Sequence, residues 1–292
     1  MIQKLFNSKK FIVSVFLLPA VVFCLLYLVL PIPISTYYSL FKWDGVGEKV
    51  FQGLQNWGEL MGDDIFWLSL FNNVKLIFFS IIVQIPIALF LAVVLTRGFK
   101  GSDFLKTVYF IPLLMSAVAI AILWNYVFDP NFGALNSFLK LFGIGPINWL
   151  GNQDIALYAV ISAVSWRYIP FYMILFIAAI VGIPQSLYEA AKIDGATEWE
   201  KFKYITLPLL KPTVINAVVL ILVGSLKYFG IVFAMTGGGP NHASELMATY
   251  MYKSAFQSFR MGYGSTIAVA LFVIALVTSL LFMNATKDDI RN

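Results

Sequence analysis

The sequence predicts an all-α, polytopic membrane protein with six transmembrane helices. Of its 292 residues, 60% are hydrophobic and only 12% are charged, whereas a typical soluble domain is about 25% charged. Six stretches are apolar over about 17–25 residues, the length that crosses a bilayer as a helix. A water-soluble fold of this length cannot bury so much apolar surface, so lipid must solvate part of it.

The six apolar stretches define an expected transmembrane domain over residues 11–284. A cytoplasmic N-terminus (1–10) precedes it, a cytoplasmic loop (183–212) interrupts it and a cytoplasmic tail (285–292) follows it. Lysines before the first stretch are also typical of a signal peptide, but the apolar run is too long and lacks a small-residue cleavage site. We therefore expect an uncleaved first helix. The predicted spans are residues 11–39, 68–96, 107–128, 155–182, 213–236 and 266–284.

The distribution of lysine and arginine predicts that both termini are cytoplasmic. Basic residues concentrate in the short loops on the cytoplasmic side of a membrane. With the N-terminus inside, twelve fall on the inner side and five on the outer side. The inner residues are Lys4, Lys9, Lys10, Arg97, Lys100, Lys106, Lys192, Lys201, Lys203, Lys211, Lys287 and Arg291; the outer ones are Lys42, Lys49, Lys140, Lys253 and Arg260.

The cytoplasmic loop 183–212 is predicted to form two short helices. Each begins with a Ser or Thr followed three residues later by Glu, the pattern of a capping box. A glycine stands where the first helix must end, and two prolines are expected to end the second helix and open the fifth span. These residues are Ser186 with Glu189, Thr197 with Glu200, Gly195, and Pro208 with Pro212.

Two alanines in the first loop helix, Ala190 and Ala191, leave a stretch of backbone with little side-chain bulk. A partner protein can approach such a surface closely. The alternative is that Glu189 only caps its own helix and that the loop only connects two spans.

Two motifs together resemble those of a known transporter family. The loop carries Glu189-Ala190-Ala191, then Gly195, then Ile205-Thr206-Leu207-Pro208, which at this spacing resembles the EAA loop of ABC importer permeases. One span later, Thr236-Gly237-Gly238-Gly239-Pro240 resembles the outer end of a core helix in sugar permeases of the maltose and glycerol-phosphate type. With the six spans, the resemblance extends over nearly the whole chain.

The resemblance implies a type I ABC importer transmembrane fold and a permease subunit that passes a sugar or oligosaccharide into the cytoplasm of a prokaryote. The implied partners are a second homologous permease, two ATPase subunits that carry ATP and Mg, an extracellular solute-binding protein and the lipid bilayer. No cofactor, enzymatic activity or nucleic-acid partner is expected of this chain. The residues implied to dock against an ATPase are Glu189, Ala190, Ala191, Asp194 and Gly195.

Three cations fall within the predicted spans, where charged residues are costly and usually face a protein-lined interior. Lys75 is near enough to the outer end of its span for its long stem to reach the interface. Arg167 lies about 18 Å into the fourth span and Lys227 about 13 Å from the outer end of the fifth, at 1.5 Å per residue. We expect Pro170 to kink the fourth helix beside Arg167. These two cations are therefore candidates for a transport pathway.

Alignment by the two motifs places six residues at positions that resemble the sugar-contacting face of maltose-type permeases. They are Arg167, Tyr168, Phe171, Leu226, Lys227 and Gly230. The two cations depart from a neutral sugar site, because charged donors suit a carboxylate or phosphate. One hypothesis is an acidic saccharide such as a uronate or sialate; the alternative is an acid supplied by the partner permease.

Several other functions are disfavoured by what the sequence lacks. It contains no G-x-x-x-x-G-K-[ST] phosphate-binding loop, no G-x-S-x-G or H-E-x-x-H motif, and a single Cys and a single His. A stand-alone secondary transporter predicts coupling acids within the spans, and a membrane enzyme predicts clustered acids or histidines; neither pattern is present. Import of a glycerophosphodiester by the same machinery stays open, because an anionic cargo suits the same cations.

Overall fold

The computed structural model describes residues 9–286, without the side chains of residues 9–12 and 14. The predicted N-terminus (1–10) and tail (285–292) therefore lie largely outside the described residues. The helices are α1 (Lys9–Cys24), α2 (Pro31–Tyr38), α3 (Gln55–Met61), α4 (Asp64–Thr96), α5 (Ser102–Leu114), α6 (Ala117–Val127), α7 (Ala134–Lys140), α8 (Ala156–Val181), α9 (Gln185–Ile193), α10 (Glu198–Lys201), α11 (Leu207–Leu226), α12 (Gly230–Met235), α13 (Met247–Tyr252) and α14 (Met261–Ala285).

Short elements connect some of these helices. Wider, π-helical turns follow α1, α10 and α13, at Leu25–Val29, Phe202–Thr206 and Lys253–Gln257. Strands β1 (Phe41–Lys42) and β2 (Val50–Phe51) form an antiparallel pair in which Phe41 lies opposite Phe51.

Within residues 9–286, five helical segments are long and apolar enough to cross a membrane, and a bent helix pair makes a sixth if it counts as one span. The five segments are Val15–Tyr38, Asp64–Thr96, Ala156–Val181, Glu198–Leu226 and Met261–Ala285. Four of them cover nearly the same residues as the predicted first, second, fourth and sixth spans. The architecture is the predicted all-α membrane bundle.

The third predicted span is two helices rather than one. Helices α5 and α6 meet at 102°, because Met115 and Ser116 both adopt an extended backbone between them. The Ser116 hydroxyl accepts a hydrogen bond from the backbone N–H of Ala119 at 3.1 Å and so begins α6 as its N-cap. The residues on both sides of the bend are mostly apolar. Their composition therefore predicted a membrane span here but could not predict the break within it.

The fifth span begins and ends earlier than predicted. Pro208 and Pro212 do not separate the loop from the span: α10, the π-helical turn and α11 form one continuous helical segment. The backbone N–H of Leu207 reaches back to the carbonyl of Phe202 across the wide turn, and Pro208 sits in the first turn of α11, where a missing N–H is tolerated. The segment then ends at Leu226.

The chain divides into two compact units. Among the described residues, the first comprises 9–63 and 251–272, and the second comprises 64–250 and 273–286. In the second unit α4 packs extensively against α8, with α5, α6, α11 and α12 around this pair. Two apolar clusters form its core, one around Leu76 and Val164 and the other around Met173 and Phe176.

In the first unit, none of the side chains in the most apolar part of Val15–Tyr38 is buried against the rest of the protein. This apolar surface suits a lipid environment. The loops of the same unit are tied together by polar contacts. Asn56 donates hydrogen bonds to the carbonyls of Ser39 and Phe41, and Arg260 forms an ion pair with Glu59.

Candidate functional site

The continuous helix of the fifth span breaks at Lys227. Lys227 is the C-cap of α11, and its backbone N–H donates to the carbonyl of Gly224 at 2.9 Å. Residues 227–229 are not helical, and α12 begins at Gly230. We predicted Lys227 inside a span, but it stands where the helix ends, with its side chain exposed.

Two neighbouring asparagines of α4 hold the chain around this break. The Asn73 amide donates to the carbonyl of Ser225 at 2.8 Å and accepts from the backbone N–H of Met247 at 2.9 Å. The Asn72 amide donates to the carbonyls of Ala243 and Glu245. Both side chains are buried, and backbone groups released from a helix need such partners in the interior. Our sequence reasoning missed both residues, although two polar amides in an apolar span were a signal.

A cavity of about 340 Å³ opens beside the break. The rings of Tyr168 and Tyr228 lie 5.3 Å apart, and those of Phe171 and Tyr172 meet edge to face at 5.2 Å. Three of the predicted pathway residues, Tyr168, Phe171 and Lys227, thus come together in one cavity. Its lining is Tyr168, Phe171, Tyr172, Leu220, Gly224, Lys227 and Tyr228.

The other three predicted pathway residues are not in the lining of this cavity. Arg167 is half-buried, and its guanidinium carbon lies 5.5 Å from the centre of the Tyr168 ring. Its Nε is buried without a hydrogen-bond partner in the described chain. Leu226 is only 2% exposed and belongs to the interior. Gly230 begins α12, where an added Cβ would lie 3.0 Å from the Cβ of Ala117, so its small size serves helix packing.

The glycine-rich turn after α12 encloses a buried acid. Gly237 and Gly238 adopt positive φ angles of 56° and 86°, which glycine accepts without strain. The carboxylate of Glu245 is wholly buried and lies 2.9 Å from Nδ1 of His242. A Cβ at Gly238 would come within 2.5 Å of that carboxylate. We had found no acid inside the predicted spans; Glu245 lies between the last two of them, and sequence reasoning missed its burial.

The first helix of the cytoplasmic loop, α9, ends as predicted but begins differently. Gly195 has a φ of 77°, and the N–H groups of Gly195 and Ala196 bond back to the carbonyls of Lys192 and Ala191 at 3.2 and 2.9 Å. This is the hydrogen-bond pattern of a Schellman motif. The capping box predicted for Ser186 and Glu189 is wrong. Because α9 already begins at Gln185, Ser186 falls inside its first turn and the N-cap position belongs to Pro184.

The second capping box is confirmed. The Thr197 hydroxyl accepts from the backbone N–H of Glu200, and the Glu200 carboxylate accepts from the backbone N–H of Thr197 at 2.7 Å. The Thr197 hydroxyl also donates a hydrogen bond to the Glu200 carboxylate at 2.7 Å, so the start of α10 is held by both residues.

Ser186, which caps nothing, offers an internal control for the cap at Thr197. We expect Thr197→Val to weaken the start of α10 by about 1 kcal/mol, the usual cost of losing an N-cap. Hydrogen exchange of the amides of residues 198–206 should then speed up about fivefold. Ser186→Ala removes a hydroxyl that caps nothing and should leave exchange in α9 unchanged. Equal exchange in the Thr197→Val variant and the parent would contradict the assigned cap.

The predicted ATPase-docking residues share one exposed segment of the loop. Glu189, Ala190, Asp194 and Gly195 are exposed, and Ala191 is half-buried. Large apolar side chains within and on both sides of this segment are also exposed, which is typical of a protein-binding surface. They are Leu187, Ile193, Trp199 and Tyr204.

The loop is also fastened to the membrane helices. The Tyr188 hydroxyl hydrogen-bonds to that of Thr206 at 2.8 Å, which joins α9 to the fifth span. Glu198 pairs with Lys201 at 2.9 Å and with Arg97, beyond the end of α4, at 3.8 Å. These contacts connect α9 and α4 to the helical segment that ends at Leu226.

Comparisons with known proteins agree with this architecture. A family model described as binding-protein-dependent transport system inner membrane component matches residues 84–286. The probable ABC transporter permease protein YurN of Bacillus subtilis (strain 168) is 40% identical over 286 residues, which cover 96% of this chain and 98% of that protein. The trehalose/maltose transport system permease protein MalF of Thermococcus litoralis is 34% identical over 275 residues, with 93% and 92% covered.

A solved structure extends the agreement to three dimensions. A chain from a bacterial ABC transporter involved in the import of the acidic polysaccharide alginate has a TM-score of 0.84. It is 24% identical in sequence, and 96% of each chain is covered. At this identity the likeness concerns the fold.

Proposed function

The chain belongs to the family of binding-protein-dependent transport system inner membrane components, and we propose that it passes a sugar or oligosaccharide through the membrane as one permease of an ATP-driven importer. The observation that carries the proposal is the cavity beside the break at Lys227. Its lining combines aromatic faces with a few polar groups, as small-molecule sites do. The relative from Thermococcus litoralis, named for trehalose and maltose transport, supports a saccharide as the cargo.

In the proposed assembly this chain pairs with a second, homologous permease. Two ATPase subunits bind on the cytoplasmic side, one of them against Glu189, Ala190, Ala191, Asp194 and Gly195, and an extracellular solute-binding protein delivers the cargo. A permease of this family is not itself a catalyst, and we place ATP and Mg on the ATPases. We also propose that both termini are cytoplasmic, in the plasma membrane of a prokaryote.

The geometry suggests how ATP binding reaches the cargo. Closure of the ATPases displaces α9, and α9 is joined through Tyr188 and Thr206 to the helix that ends at Lys227. Because that segment is continuous from Glu198 to Leu226, it moves the cavity at its far end. When the cavity opens to the outside, it admits the delivered saccharide. After ATP hydrolysis the cavity opens to the inside again and releases the saccharide to the cytoplasm.

Co-purification tests the assembly. The tagged full-length chain is extracted from native membranes in mild detergent, and the associated subunits are identified and counted. We expect one further permease and two ATPase subunits. A chain that is isolated alone, or as a homodimer without ATPase, would refute the importer proposal, and the loop around Glu189 would then only connect two spans.

A further inference from the structure

The cavity beside the helix break carries positive charge that the described chain does not neutralise. Lys227 lines the cavity with an exposed side chain, and Arg167 lies against Tyr168 at its edge. Within residues 9–286, neither cation has an acidic group within ion-pair distance, and none of the lining residues is an acid.

The acids of the second unit that form ion pairs are engaged elsewhere. Asp103 pairs with Lys106 and Glu198 with Lys201 and Arg97, whereas Glu245 lies within hydrogen-bond distance of His242. Asp129 and Asp154, also in this unit, lie outside its helices.

The backbone supplies only part of the missing negative charge. Lys227 caps the C-terminus of α11, where the helix dipole is equivalent to about −0.5 elementary charge. Two full positive charges therefore remain largely uncompensated beside a cavity whose walls are aromatic.

We infer that the imported saccharide carries an anionic group, a carboxylate or a phosphate, and that Lys227 binds this group in the cavity. The inference rests on the proposed function. Lys227 is suited to the role because its long side chain extends from a non-helical segment and is exposed. Tyr168, Phe171 and Tyr228 offer aromatic faces to the sugar rings on the same cavity wall.

The size of the cavity is consistent with one charged unit of such a cargo. Small-molecule sites range from about 300 to 1,000 Å³, and 340 Å³ is near the lower limit. Arg167 is placed to support binding from the edge, because its Nε has no hydrogen-bond partner in the described chain. The competing source of negative charge is an acidic side chain of the second permease.

The test uses the complete co-purified importer in proteoliposomes, with its binding protein supplied outside. The probes are labelled disaccharides and trisaccharides of several sugar types, each in neutral, uronate and phosphorylated form. The variants are Lys227→Met, which removes the charge and keeps the length, and Lys227→Arg, which keeps the charge. Lys75→Met is the matched control, because Lys75 is a cation of α4 outside the cavity lining, stacked on Phe71.

We expect the parent importer to take up an anionic form at least tenfold faster than its neutral counterpart. Lys227→Met should lower that uptake about 10- to 100-fold, the worth of a hydrogen bond to a charged group. The Lys227→Arg variant should retain most of the anionic uptake. The Lys75→Met variant should take up the anionic form as fast as the parent importer. The form that is preferred, uronate or phosphate, identifies the anion.

Two results would overturn the inference while saccharide import stands. One is preferred uptake of neutral forms by the parent importer. The other is an equal loss of neutral and anionic uptake in the Lys227→Met variant. That result would mean that Lys227 forms an ion pair with an acid of the second permease rather than with the cargo. Absence of uptake for every saccharide, with the ATPases bound, would instead refute the proposed function and the inference with it.

Discussion

Ala190→Trp is expected to detach the ATPase subunits and abolish ATP-driven uptake while the membrane subunits stay folded and paired. Ala190 is exposed on α9, so a larger side chain points to solvent and does not disturb the packing of residues 9–286. In the proposed assembly the same position faces an ATPase. Packed interfaces are as dense as protein interiors, and overpacking costs about 1–3 kcal/mol. Binding of the ATPases should therefore weaken by about 10- to 100-fold.

The measurement is the amount of ATPase that co-purifies with the tagged permease, together with ATP-driven uptake by the same preparation. Ala190→Ser is the matched control, since it keeps the side chain small at the same position and should retain both ATPases. Undiminished ATPase recovery in the Ala190→Trp variant would remove α9 from the interface. Loss of the second permease as well would show general misassembly rather than a docking defect.

The long helices were predictable from apolar composition, because a segment in lipid must satisfy its own backbone hydrogen bonds. Only a helix does this within one segment. The fourth span illustrates the point: residues 155–182 were predicted and Ala156–Val181 is helical. Even its internal proline, Pro170, leaves the helix continuous.

Helix breaks inside apolar segments were not predictable in the same way. Residues 107–128 and 213–236 are predominantly apolar, yet the chain turns at Ser116 in the first and stops being helical at Lys227 in the second. At Lys227 the released carbonyl of Ser225 is taken up by Asn73, a residue 152 positions away in the sequence. Hydropathy contains no information about such a partner.

In the candidate site, the features that depend on local contacts were predictable and those that depend on distant contacts were not. The Gly195 helix end and the Thr197–Glu200 capping box depend on neighbours within a few residues, so the local pattern sufficed. The roles of Asn72 and Asn73 depend on residues 243–247, more than 170 positions away. Leu226, a position carried over by alignment, lies in the interior and does not line the cavity.

Asn73→Leu is expected to destabilise the break and to lower uptake. The substitution leaves the carbonyl of Ser225 and the N–H of Met247 without their partner in the interior. Interhelical hydrogen bonds in membrane proteins average about 0.6 kcal/mol and reach about 1.7, but a buried group left unpaired loses about 1–3 kcal/mol. Two such groups should cost about 2–6 kcal/mol, and at about 2–4 °C per kcal/mol the melting temperature should fall by at least about 4 °C.

The matched control is Asn125→Leu in α6, which exchanges the same two side-chain types. The amide oxygen of Asn125 is buried without a hydrogen-bond partner in the described chain, so replacing it with an apolar group should be neutral or stabilising. The melting temperature of the detergent-solubilised complex measures both effects. If the Asn73→Leu variant has the same melting temperature as the parent, contacts other than those of Asn73 fix the break. If it melts earlier and transports less while Asn125→Leu does neither, the hydrogen bonds of Asn73 hold Lys227 at the cavity.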